Sequence, residues 1–302
     1  MKTNSIKAWL QAARPKTLTG AMIPVLFGGA LAFHNGTFKP ALWICCALFA
    51  SLMQIAANFI NDIYDFLKGS DRKDRLGPER ACAQGWITPN AMKVGIVIGV
   101  CVACAIGLVS VALSWQTLPY HGLEFIILGA VCVLFAFLYT IGLSYLGLGD
   151  ILVLVFFGFV PVCGTYYIQT HVIDTPSIIL SLISGIAIDA LLVINNYRDR
   201  DQDKISGKKT IIVRFGEPFG RYYYLAIGII VAALMFALHG ITHWFEILPA
   251  AIYLALHVTT WKEMVRIHEG RALNKILGLT SRNMFFMSIL LSVAIVLATI
   301  LM

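Results

Sequence analysis

The sequence predicts an all-α polytopic membrane protein, a single transmembrane domain over residues 1–302 with nine helices around a central cavity and a cytoplasmic N-terminus. Three observations predict it. Hydrophobic residues make up 59% of the chain, charged residues only 13%, and mean hydropathy is +0.80. Soluble domains carry about 25% charge, and a water-exposed globule of this size has no way to hide so much apolar side chain. The apolar residues also fall in continuous runs near the ~20 residues that cross a hydrocarbon core roughly 30 Å thick, without the short-strand alternation of an outer-membrane barrel. Finally, the basic residues gather in every second connection, as they do when those connections face the cytoplasm.

The runs are 18–33, 41–60, 94–114, 123–142, 148–168, 177–196, 224–238, 245–261 and 283–301, of which the seventh is the shortest. With the N-terminus inside, the leading tail carries Lys2, Lys7, Arg14 and Lys16. The connection after the second run carries Lys68, Arg72, Lys73, Arg75, Arg80 and Lys93, and that after the sixth Arg198, Arg200, Lys204, Lys208, Lys209, Arg214 and Arg221. Lys262, Arg266, Arg271, Lys275 and Arg282 follow the eighth, so that of 23 Lys and Arg only Lys39 falls on the other side. The net charge of +7 is therefore confined to one membrane face. It predicts contact with membrane lipid and no nucleic acid. The basic start followed by an apolar stretch reads as the first span rather than as a cleaved signal peptide.

Cysteine and histidine suggest no chemistry. Six of the seven cysteines lie within runs and only Cys82 in a connection, so they form no disulfide framework, and the seven histidines show no metal-binding spacing.

Carboxylates at the ends of apolar helices are costly and mark function. Asn58, Asn61, Asp62 and Asp65 end the second run at i, i+3, i+4 and i+7, which predicts one shared helix face; Lys68, Asp71, Arg72 and Arg75 follow. Asn195, Asn196, Arg198, Asp199 and Asp203 end the sixth run, and Lys208 follows. Like charges at i, i+4 repel unless compensated. A hard divalent cation compensates them, since Mg2+ prefers one or two carboxylates plus water and phosphate oxygens. Two such tips with Lys and Arg beyond them suit a metal-bridged diphosphate whose tail lies among the spans. Asp189, seven residues before Asn196, is expected to point into the cavity. It either organises a polar partner near a second substrate or satisfies a neighbouring helix. Tyr64, Tyr139, Tyr145 and Tyr197 stand near the tips, where an aromatic face either shields a carbocation or simply packs among the spans.

The stretches Arg14-Pro15-Lys16-Thr17-Leu18, Asn61-Asp62-x-x-Asp65-x-x-x-Gly69-x-Asp71, Arg75-x-Gly77-Pro78-x-Arg80, Phe137-Leu138-Tyr139-Thr140, Gly147-Leu148-Gly149-Asp150 and Asn195-Asn196-x-Arg198-Asp199-x-x-x-Asp203-x-x-x-Gly207-Lys208-x-Thr210 resemble the UbiA superfamily of intramembrane aromatic prenyltransferases. The likeness covers residues 14–216, and the Asn-Asn-x-Arg-Asp form is most similar to the branch that prenylates 1,4-dihydroxy-2-naphthoate in menaquinone synthesis. The resemblance implies Mg2+ held by Asn61, Asp65, Asp199 and Asp203, with Asp62, Asp71 and Asn195 as further ligands. Asp65, Asp199 and Asp203 are then the catalytic carboxylates. It implies a diphosphate cradle of Arg14, Lys68, Arg72, Arg75, Arg198 and Lys208, and a substrate cavity reaching Asn58, Tyr139, Asp189 and Asn196. Its partners are a polyprenyl diphosphate and an aromatic acid acceptor, and its place is a bacterial cytoplasmic (inner) membrane with the active site facing the cytoplasm. One departure stands out: residues 142–146 hold no basic side chain, so no phosphate-binding role passes to them. The alternatives are a relative using another acceptor such as 4-hydroxybenzoate, or a polytopic anion transporter.

Overall fold

Helix α1 (Ile6–Ala13) begins where the Ser5 hydroxyl accepts the Ala8 amide. The computed structural model describes residues 1–69 and 75–302, so Asp71 and Arg72 lie outside the described residues. In sequence the residues before 18 read as a tail. Instead Ala8 and Ala12 bury one side of α1 while Ile6 and Leu10 stay exposed, the pattern of an amphipathic helix. Arg14 adopts a left-handed backbone (φ 52°), and a 3-10 turn over Pro15–Thr17 leads into α2 (Leu18–His34).

Helices α3 (Pro40–Leu67) and α4 (Pro89–Ser114) both open on proline, whose missing amide costs nothing in the first turn. Helix α5 (Leu123–Ile141) follows. The fifth run becomes α6 (Gly149–Leu154), a π turn (Val155–Phe159) and α7 (Val160–Thr170), together one 22-residue segment. Pro161 explains the interruption, since it offers no amide to the preceding turn. The carbonyl of Phe157 instead accepts the Ser184 hydroxyl of the next helix at 2.6 Å. That helix, α8 (Thr175–Ile205), starts at a reciprocal cap between Asp174 and Ser177.

Helix α9 (Ile211–Phe236) departs from expectation by starting well before residue 224. Its charged first half reads as loop in sequence, but Glu217 pairs with Arg221, Arg200 and His268, and Tyr197 donates to it at 2.9 Å. A kink at Gly216 (φ 85°) sets the first turn apart, and Glu217 and Arg221 follow it. Then come α10 (His239–Thr242), α11 (Ile247–Ile267) and α12 (Asn274–Leu301). Among the described residues eight helical segments are long and apolar enough to cross a membrane. Helix α11, at 21 residues, has the length but carries His257, Lys262 and Glu263.

Two apolar cores result. The larger joins α2, α7, α8, α9, α11 and α12 around the buried rings of Tyr166, Tyr197, Tyr224 and Tyr253. The smaller joins α1, α3, α4 and the connection at 81–87 through Ala8, Phe59, Ile60, Cys82, Ile87 and Met92. Small residues let helices approach closely, as at Gly185, where a Cβ would stand 2.9 Å from Leu154 Cα. Gly185→Val should therefore lower stability by about 1–3 kcal/mol through overpacking. Gly278→Ala, whose added Cβ meets nothing within 4 Å, should not destabilise the protein; thermal unfolding of the two variants in detergent checks the contrast.

Candidate functional site

The two acidic clusters occupy the C-terminal ends of α3 and α8. Helix dipoles place partial negative charge there, so each carboxylate adds to a field that already disfavours it and calls for cations. On α3 the expected single face divides into two. Asn58 and Asp62, four residues apart, turn toward the protein: the Asn58 amide donates to the Ala13 carbonyl and to Thr17 Oγ1, both at 2.9 Å. Both oxygens of buried Asp62 accept backbone amides, Ala81 and Cys82, each at 2.8 Å. These two residues brace the N-terminal segment and the connection after α3. The neighbouring pair, Asn61 and Asp65, is centred about 60° around the helix from the first and is only half-buried. Asn61 Oδ1 accepts the Thr140 hydroxyl at 2.6 Å, and Asp65 pairs with Arg80 at 2.6 Å.

On α8 the Arg198 guanidinium grips Asp199 with two bonds of 2.7 and 2.6 Å. Its third nitrogen donates to Asn274 at 2.7 Å, and Asn274 in turn donates to the Leu76 carbonyl at 2.8 Å. Arg271 donates to the Arg75 carbonyl at 3.0 Å. Gly77 lies so close that a Cβ there would stand 2.9 Å from Arg198 Nη2. The connection leaving α3 thus rests on the tip of α8. Tyr145 joins the tips a second time, with the Lys68 ammonium 4.6 Å and the Lys208 ammonium 5.4 Å from its ring centroid. Residues 142–146, which lack a basic side chain of their own, receive one lysine from each cluster. Lys208 also pairs with Asp203 at 3.3 Å, and Lys68 donates to the Ile141 carbonyl at 2.8 Å. Arg14 lies within electrostatic reach of Arg75, Arg80, Asp62 and Asp65.

Asn195 is half-buried one turn before Asp199. Asn196, Tyr139 and Lys208 line a cavity of about 60 Å³ together with Asp150. Asp189 accepts the Tyr223 hydroxyl of α9 at 2.8 Å. Sequence reasoning passed over Arg80, Asn274, Thr140 and Asp150 as site residues. Arg80, Thr140 and Asp150 stand inside the quoted motifs and are legible there, whereas Asn274 lies 76 residues from its Arg198 partner and carries no local signal.

Among the described residues no three His, Cys, Asp or Glu side chains form one preformed metal cluster. What the tips offer is hard oxygen donors in two small groups, Asn61 with Asp65 and Asn195 with Asp199 and Asp203. That set fits Mg2+, which takes one or two carboxylates and completes its shell with water and phosphate.

The sequence model of the UbiA prenyltransferase family matches residues 21–299. The chain belongs to that family. Over 266 residues it is 38% identical to the 1,4-dihydroxy-2-naphthoate octaprenyltransferase of Escherichia coli (strain K12), covering 85% of this chain and 86% of that one. The fold is the UbiA membrane fold. The apo structure of a UbiA homolog from Aeropyrum pernix K1 superposes with a TM-score of 0.68 at 17% identity, covering 92% of this chain and 97% of that one. The Archaeoglobus fulgidus UbiA homolog bound to GPP and Mg2+ superposes with a TM-score of 0.65 at 12% identity, covering 95% and 99%.

Because Asp62 is spent on two buried amides, Asp62→Ala should cost about 3–6 kcal/mol, reading each as a lost bond to a charged group. Asp201→Ala, an exposed position on α8, should stay within about 0.5 kcal/mol. Thermal unfolding midpoints of the purified variants measure both.

Proposed function

We propose that the chain transfers a polyprenyl group from polyprenyl diphosphate to 1,4-dihydroxy-2-naphthoate, with decarboxylation, in a Mg2+-dependent step of menaquinone synthesis. The observation that carries the reading is the meeting of the α3 and α8 tips through Gly77, Arg198 and Tyr145. It gives a single diphosphate two acidic and basic surfaces at once. The name of the E. coli relative supports the acceptor, and the GPP and Mg2+ held by the A. fulgidus homolog support the donor and the metal. The bias of basic residues supports a site on the cytoplasmic side, and the E. coli relative supports a bacterial inner membrane.

In this reading Asn61, Asp65, Asp199 and Asp203 hold Mg2+, and bound Mg2+ supplies Lewis-acid neutralisation of the diphosphate. Lys68, Arg75, Arg80, Arg198 and Lys208 surround the leaving group, and their field grows in value as negative charge develops on it. The allylic C–O bond breaks and its electron pair leaves on diphosphate. A ring carbon of the acceptor donates a pair to the allylic carbon, and loss of the carboxylate as carbon dioxide returns a pair to the ring. Tyr139 and Tyr145 line the approach, and the surrounding apolar helices keep water from capturing the cation. A transporter would need charge near the bilayer midplane on an alternating path, whereas both clusters here close one end of the bundle.

Purified protein given a polyprenyl diphosphate should release diphosphate with dihydroxynaphthoate and Mg2+, and not with chelator. Release with 4-hydroxybenzoate alone would reassign the acceptor. Asp65→Ala and Asp199→Ala should each lower turnover at least about 10²-fold while remaining folded, the scale for losing one transition-state charge contact.

A further inference from the structure

Beside the diphosphate cradle lies a pair of carboxylates that the chemistry above does not use. Asp150 starts α6 and lines the cavity of about 60 Å³ shared with Tyr139, Leu192, Asn196 and Lys208. Its Oδ1 is buried and without a hydrogen-bond partner. Asp189, 5% exposed, lies on α8 one turn before Leu192, and its Oδ1 is also buried and unpartnered. The two belong together by register. A Cβ on Gly149 would stand 3.0 Å from Leu192, and one on Gly185 2.7 Å from Leu154, so α6 runs antiparallel along α8 and brings Asp150 beside Asp189. The carboxylates interact electrostatically. Tyr223 holds the other Asp189 oxygen, which fixes the side chain without satisfying it.

A buried carboxylate oxygen without a donor costs several kcal/mol in principle, and two on facing helices repel as well. Within the protein neither Oδ1 atom has a hydrogen-bond donor. A ligand hydroxyl entering the cavity would supply the donor that Asp150 Oδ1 lacks, while Asp189, which does not line the cavity, would act on the ligand through Asp150. We propose that Asp150 binds a ring hydroxyl of the acceptor and that Asp189, anchored by Tyr223, positions it, so that the pair selects a dihydroxylated ring over a monohydroxylated one. This rests on the aromatic acceptor proposed above. Hydrogen bonds accepted from the hydroxyls also push electron density into the ring that attacks the allylic carbon.

The test is steady-state kinetics on the full chain in nanodiscs, comparing the natural protein with Asp150→Ala, Asp189→Ala and the double variant Asp189→Ala/Tyr223→Phe, which removes both partners if the single change unfolds the protein. The acceptors are 1,4-dihydroxy-2-naphthoate and 1-hydroxy-2-naphthoate. Asp150→Ala should raise KM for the dihydroxy acceptor about tenfold or more, leave KM for polyprenyl diphosphate within twofold, and collapse the preference between the two acceptors by a similar factor. The Asp189 variants should lose the same preference, and Asp189→Glu should recover part of it. Folded variants with an unchanged acceptor KM and preference would overturn the subsite, as would an equal rise in both KM values. Failure of the natural protein to use either naphthoate would overturn the proposed acceptor and this inference with it.

Discussion

Two helix C-termini of the same polarity, each ending in carboxylates, meet at one end of this bundle, and electrostatics alone would drive them apart. What lets them meet is a set of cations supplied from elsewhere in the chain. Arg80 returns from the connection after α3 to pair with Asp65, Arg198 closes on Asp199, and Lys208 comes back past the end of α8 to reach Asp203. The side chain of Arg198 is 2% exposed, a charge that burial would penalise heavily without its two bonds to Asp199 and the third to Asn274. Each carboxylate is therefore held in place by a group that also favours phosphate. In the proposed function a metal-bearing diphosphate would meet acid and base already interleaved.

The division of labour on α3 follows from helix geometry. Residues four apart share a face, so Asn58 with Asp62 and Asn61 with Asp65 form two stripes rather than one. The first stripe is consumed in anchoring Ala13, Thr17 and the amides of Ala81 and Cys82. The second is left near Thr140 and Arg80 at the mouth of the site. The spacing made both stripes visible as a single acidic face, but only the packing of α1 and the 81–87 connection decides which stripe turns inward. The same holds for length. Runs such as 18–33 and 123–142 nearly coincide with α2 and α5, because apolar composition alone sets those ends. Helix α9 exceeded its run because Glu217 and Arg221, unfavourable as isolated charges in a span, find Tyr197, Arg200 and His268 across two other helices. Long-range pairing of that kind leaves no periodic trace.

The missing basic residue in 142–146 shows the limit from the other side. A local departure from a family pattern looked like a lost phosphate contact, yet Tyr145 in that stretch serves as the platform on which Lys68 and Lys208 both stand. The charge came from two segments 140 residues apart in sequence. Asp189 followed a similar course: its depth in α8 was visible, its Tyr223 partner and its Asp150 neighbour were not.

Whether both tips grip one ligand is measured directly by a double-mutant cycle. The affinity of Mg2+-bound geranylgeranyl thiolodiphosphate, which resists cleavage, is determined for the natural protein, Asp65→Asn, Asp199→Asn and the pair. A shared ligand predicts strong coupling, the double variant binding within about threefold of the weaker single one. An Asp65→Asn or Asp199→Asn variant that binds the diphosphate as tightly as the natural protein would mean that its tip does not touch this ligand, and would overturn the shared grip.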